Sequence, residues 1–169
     1  MEFQRLYEEL THSTEMIRAL LAGVGGEEAR VKPNPDSWSI LEVTCHLHDE
    51  EREDFREHLD CILHRQNEEW HSIDPLGWVA SRKYNEQNFG EMKGKFFMER
   101  EKSLDWLKTL SKTDWETTYT SQFGSMKAGD MFAAWSAHDN LHIRQLVELR
   151  RSLIERITQP YDIHYAGDW

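Results

Sequence analysis

Four stretches of this chain carry apolar residues at helical spacing, and three of those stripes are broken near the middle by a polar turn. A helix that buries one face keeps that face apolar, so polar groups at one level of several packed helices imply a cavity with something in it. The first stripe, Phe3, Leu6, Leu10, Ile17, Leu20 and Val24, predicts a helix from about residue 2 to about 23, stopped by Gly25-Gly26. Val31-Lys32-Pro33-Asn34-Pro35-Asp36 reads as a rigid turn, because each proline fixes its own φ and biases the residue before it away from helix. Ser39-Ile40-Leu41-Glu42 is a capping box, with Trp38 before the cap and Val43 placed for a hydrophobic staple. The second helix runs from there to about Arg65 on Ile40, Val43, Leu47, Phe55, Leu59 and Ile62. Its missing turn is occupied by His46, Asp49, Glu50, Glu51 and Asp54.

Residues 66–87 form a long connection with a short helix expected from Trp78 to Tyr84. A connection of that length suits a crossover that lets the second and third helices run parallel better than a tight antiparallel turn. The third helix, about Phe89 to Leu110, carries Phe89, Met92, Phe96, Leu104 and Leu107 with a polar gap at Arg100-Glu101. Between Ser111 and Ser125 the alternation of Trp115, Thr117, Tyr119, Ser121 and Phe123 predicts a short extended segment ended by Gly124. The fourth helix spans about Lys127 to Ile157, Pro160 ends it, and the tail to Trp169 has no periodicity. The expectation is an all-α four-helix bundle forming one domain over residues 1–169, with no internal repeat.

Within the fourth helix, His138 and His142 are four apart and stack on one face, so two imidazoles point at one spot. Trp135 and Gln145 share that face, between Met131 on one side and Leu146 and Leu149 on the other. Two histidines do not make a tight metal site. His46, in the middle of the second helix, is the best third candidate. Three neutral imidazoles suit Zn²⁺, Ni²⁺ or Fe²⁺ and leave positions open for water or substrate, as a catalytic site does. The competing reading is three hydrogen-bonded core histidines. His138-Asp139-x-x-His142 is also a near miss of the His-Glu-x-x-His protease signature, but aspartate is a methylene shorter and no distal ligand motif follows.

Around these three, Glu50 lies one turn after His46, either orienting it or solvated. Gln145 holds a coordinated water or caps the polar face. Arg100 suits an anionic substrate group, with a solvated surface arginine as the plainer reading. Asp139 points away from His138 toward the surface or an outer position, and His48 is expected to be exposed. Cys45 is expected to pack between helices, and His12, His58, His64, His71 and His164 to be structural or exposed.

Composition narrows the partners. The net charge of −11 repels phosphate backbones and anionic membranes, and no basic cluster offsets it, so nucleic acid and membrane are not expected partners. Cys45 and Cys61 lie on one predicted helix about 24 Å apart at 1.5 Å per residue, beyond disulfide reach. They read as buried free thiols in a reducing cytoplasm. The start of the chain has no apolar run like a signal peptide's, and no apolar stretch reaches the roughly 18 residues of a membrane span, so the expected location is cytoplasmic.

Taken together, Trp38-Ser39-Ile40 with Glu42 and His46-Leu47, then Trp78, Arg82 and Tyr84-Asn85, Arg100, and His138-Asp139-x-x-His142-x-x-Gln145 resemble the DinB/YfiT-like superfamily from about Trp38 to Arg150. The resemblance implies a four-helix bundle of up-down-down-up topology, often dimeric, holding a divalent metal on the positions matched here by His46, His138 and His142. It implies a metal-dependent hydrolase, or a transferase using a low-molecular-weight thiol on a small-molecule substrate. The alternative from another class is a metal-binding or stress-response bundle that acts through ligand or partner binding without catalysis.

Overall fold

The computed structural model describes residues 2–121 and 124–167. Four long helical units carry the fold. The first is α1 (Phe3–Leu21). The second joins α3 (Ile40–Asp49) to α4 (Arg56–His64) through a wider π-turn at Glu50–Phe55, where one continuous α-helix was expected. The third is α6 (Phe89–Thr109) and the fourth α7 (Ala128–Ile157). Short α2 (Gly26–Ala29) and α5 (Pro75–Ser81) lie in the connections, α5 followed by a single 3₁₀ turn at Tyr84–Glu86. Helix α1 lies against α6 and α7, and α3 against α6 and α7. Among the described residues no helix is long and apolar enough to cross a membrane.

Local chemistry accounts for most boundaries. Helix α3 starts on the expected capping box: the Ser39 hydroxyl accepts from the Glu42 N–H at 3.1 Å, and the Glu42 carboxylate accepts from the Ser39 N–H at 2.8 Å. Helix α1 ends earlier than expected, because Gly23, at φ +72°, takes the left-handed conformation that closes a helix. Gly25 and Gly26 instead open α2. The alternating segment after α6 is an antiparallel hairpin of β1 (Thr118–Ser121) and β2 (Gly124–Lys127), so Gly124 begins a strand where it was expected to end one. Phe123 of that alternation, Met1 and the chain end at Trp169 lie outside the described residues.

The connection between α4 and α6 is pinned to α3 by residues that the family resemblance singles out. Tyr84 donates its hydroxyl to Asp49 Oδ2 at 2.6 Å, and Arg82 pairs with Asp49 at 2.6 Å and with Glu53 at 2.8 Å while lying 4.0 Å over the Trp78 ring. Asn85 accepts the Ser39 hydroxyl at 2.7 Å.

A polar layer divides the apolar core in two. One cluster gathers Ile17, Leu41, Leu47, Phe96 and Leu146, and the other Leu10, Phe55, Ile62, Leu107 and Trp135. Between them every long helix turns polar: Ser13 and Thr14, Glu50 and Glu51, Arg100, and Asp139 with His142, all buried. The first helix therefore shares the interruption, although its stripe reads as merely sparse between Leu10 and Ile17.

Arg100 is the centre of that layer. It is neither solvated nor open to a substrate anion: its side chain is 1% exposed and grips Glu51 at 2.8 Å and Asp139 at 2.6 and 2.8 Å, with a further bond to the Thr14 hydroxyl at 3.1 Å. Burial pulls its pKa down, but the Asp139 and Glu51 carboxylates outweigh burial and raise it above the ordinary arginine range. Trp135 Nε1 donates to Glu51 at 3.1 Å. Asp139 is likewise fully buried, correcting the surface placement, because the guanidinium opposite it needs two carboxylates to leave water. Arg100→Met strands both carboxylates, and we expect a loss of about 3–5 kcal/mol in urea unfolding. A loss under about 1 kcal/mol would mean that this layer does not hold the helices together.

Candidate metal centre

His46 reaches the bundle interior from the middle of α3, and His138 and His142 from successive turns of α7. The three rings offer ligand atoms that all lie within 4.8 Å of one another. His46 Nε2 is 3.2 Å from His138 Nε2, and His142 Nε2 is 3.1 Å from the same atom. Ligand nitrogens on a tetrahedral ion bonded at about 2.0–2.1 Å lie about 3.3 Å apart, so the spacing fits a divalent ion. His46 and His142 are buried and His138 is partly so.

The rings are held neutral, as metal ligands must be. Burial, then the neighbouring His142 and His138, push His46 down to about 2. Burial, then His142, push His138 down to about 3, and burial lowers His142 as well. His142 Nδ1 faces Gln145 Oε1 at 2.8 Å, so the amide oxygen accepts the Nδ1 proton and the Nε2 lone pair turns to the centre. The same arrangement is prepared but open at His46. Its Nδ1 and Glu50 Oε1 are both buried without a partner and lie 3.9 Å apart. A small movement gives the Nδ1 proton an acceptor, as ligating histidines usually require.

Glu50 is itself unusual. Burial, then Asp54 beside it, push its carboxyl up to about 9, so it keeps its proton at neutral pH. Asp54 in turn contacts His58 Nδ1 at 2.6 Å, and His58 Nε2 contacts the His71 carbonyl at 2.8 Å. The alignment of His46, Glu50, Asp54 and His58 one turn apart was readable from spacing, but Asp54 stood only as a filler of the polar gap.

Aromatic rings wall the cluster. Trp38 stands edge-on to His46 with centroids 4.9 Å apart, and Phe55 lies 4.9 Å from His138. Beyond Trp38 a cavity of about 420 Å³ opens, lined by Trp38, Leu141, His142 and Gln145 with Asp36, Ser37, Arg144 and Glu148 at its rim. That volume is within the range of small-molecule sites.

Other expected positions resolve differently. His48 is buried and not exposed, because Asp49 takes its Nδ1 at 2.8 Å on the side of α3 turned away from His46. Cys45 is buried with Sγ toward the Tyr84 carbonyl at 3.7 Å, and burial pushes its thiol up to about 12, so it is inert. Both cysteines are free. Of the three polar candidates, Glu50 and Gln145 adjoin the histidines and Arg100 belongs to the ion-paired layer.

The depressed histidines make stability pH-dependent. Below pH 6.5 the unfolded chain takes up protons that folded His46 and His138 refuse, so stability present above that pH drains away as the pH falls toward about 3. Glu50, raised to about 9, gives the opposite slope from pH 4.5 upward. In metal-free protein between pH 6.5 and 4.5, His138→Gln should flatten the slope of unfolding free energy by up to about 1.4 kcal/mol per pH unit. An unchanged slope would mean that His138 titrates normally.

Comparison with known proteins identifies the fold and the family. A family model for the DinB superfamily matches residues 9–146. Among solved structures, YfiT from Bacillus subtilis, described as a probable metal-dependent hydrolase with an unusual four-helix bundle topology, superimposes with a TM-score of 0.76 at 12% identity. The match covers 89% of this chain and 86% of that one. No curated protein sequence matches significantly. With the family model running from within α1 to within α7 and taking in the histidine cluster, the chain belongs to the DinB superfamily.

Proposed function

We propose that this protein is a metal-dependent enzyme in which His46, His138 and His142 hold a divalent ion, and which turns a water or a small thiol against an electrophilic small molecule. The observation that carries this reading is the convergence of three neutral imidazole nitrogens within 4.8 Å, beside a cavity of small-molecule size. Zn²⁺ or Ni²⁺ suits three nitrogen donors best and Fe²⁺ next. When bound, such an ion supplies Lewis acidity that lowers the pKa of a water or thiol toward neutrality. Neutral ligands leave its charge undiminished, which favours thiol transfer at least as much as hydrolysis.

The chain's own groups have separable tasks. Gln145 fixes the tautomer of His142, and Glu50 stands ready to accept from His46 Nδ1. Trp38 and Phe55 exclude water from two sides of the rings. Substrate enters past Trp38 and Leu141, meeting apolar surface first and the polar His142–Gln145 edge next. Arg100 takes no part in substrate binding.

Metal analysis by mass spectrometry tests the assignment. Wild-type protein should hold close to one ion per chain, and His46→Ala and His142→Ala should lose it while remaining helical. Wild type that takes up neither Zn²⁺ nor Ni²⁺ would return the three histidines to the core and leave a binding module as the better reading. Gln145→Leu, which removes the acceptor of His142 Nδ1, should weaken metal binding about 10- to 100-fold in a competition titration with a chelating dye. Retention of full affinity would remove Gln145 from the site.

A further inference from the structure

A second cavity, of about 480 Å³, lies where α3 and its π-turn meet the α4–α6 connection and α6; His48 lines it, but His46, His138 and His142 do not. Its floor is the Asp49 carboxylate. That group is fully engaged, accepting from Tyr84 at 2.6 Å, from Arg82 at 2.6 Å and from His48 Nδ1 at 2.8 Å. Glu53 is occupied by Arg82 at 3.0 and 2.8 Å and by Arg52. Neither carboxylate is left to attract a cation.

Of the basic groups of the same cavity, Arg82 is held by both carboxylates, but Arg52 and Lys95 are less fully engaged. Arg52 is exposed and shares Glu53 with Arg82, so its own partner is already committed elsewhere. Lys95, on the α6 side, has no hydrogen-bond or ion-pair partner among the described residues. The lining carries three cations, Arg52, Arg82 and Lys95, against two carboxylates, Asp49 and Glu53. A net-positive hollow stands out on a chain whose total charge is −11. Met92 and the Tyr84 ring add apolar wall, and the volume exceeds what a bare inorganic ion fills.

We propose that this cavity binds a small organic anion, a carboxylate or a phosphate ester, held between Arg52 and Lys95 with its carbon skeleton against Met92 and Tyr84. The geometry assigns recognition to the two exposed cations, because Arg82 is spent on Asp49 and Glu53. Occupancy releases Arg52 from Glu53 and gives Lys95 the partner it lacks. Site and ligand are independent of the metal centre, which lies on the other side of α3: His46 and His48 project about 200° apart around that helix.

Amide NMR titration of the metal-loaded protein at low ionic strength, with malonate and glycerol 3-phosphate in separate series, tests this directly. The expected result is saturable shifts confined to residues 48–53, 82–87 and 92–95. Arg52→Gln with Lys95→Gln should weaken binding at least tenfold, with unchanged unfolding midpoint and metal content. A preference of fivefold or more between the probes identifies the head group. His142→Ala, which removes the proposed metal, should keep these shifts and so separates this cavity from an anion resting on the ion. No saturable shift with either probe, shifts centred on the histidine cluster, or equal affinity in the double variant would overturn the proposal.

Discussion

The bundle depends on one buried cation. Arg100 draws a carboxylate from the π-turn of the second helical unit and another from α7, and it touches the α1 hydroxyl of Thr14 on the way. Hydrophobic burial alone would let the helices slide along one another, since apolar contacts have no direction. A guanidinium with two carboxylates has a single satisfactory arrangement. Glu51 and Asp139 adjoin Glu50 and His138 in sequence, so the contact that sets helix register also sets how closely the α3 histidine approaches the α7 pair.

This explains why polar residues occur at one level of all four helices. The ion-paired layer and the histidine cluster put polar groups into the core, and polar groups in a core need partners. Most of them are satisfied by one another or by a carbonyl one turn back; among the described residues the exceptions are His46 Nδ1 and Glu50 Oε1, which lie 3.9 Å apart beside the cluster. The π-turn contributes by interrupting the regular ladder between His46 and Phe55, the stretch where the helix presents Glu50 and Glu51 inward.

Much of this was legible in the sequence because it depends on short-range spacing. The capping box at Ser39, the His138/His142 pair and the bounds of the third and fourth helices follow from periods of three and four residues. His46 stands out as the histidine among the polar residues that fill the missing turn of the second stripe. Arg100 was misplaced because a long basic side chain is usually solvated, and only the distant Glu51 and Asp139 make its burial tolerable. His48 failed for the same kind of reason, since Asp49 and the α4–α6 connection that covers it are brought together by tertiary packing. The π-turn leaves no clear signature in composition, and the end of α1 turned on Gly23, one glycine earlier than the obvious pair.

The rim of the cavity beside the histidines has one further property. Asp36, Ser37, Arg144 and Glu148 belong to neither apolar cluster nor the ion-paired layer, and they sit on a proline-stiffened turn and one outward stripe of α7. Substitutions at these four positions can therefore reshape and recharge the mouth of the cavity while leaving untouched what keeps the bundle folded.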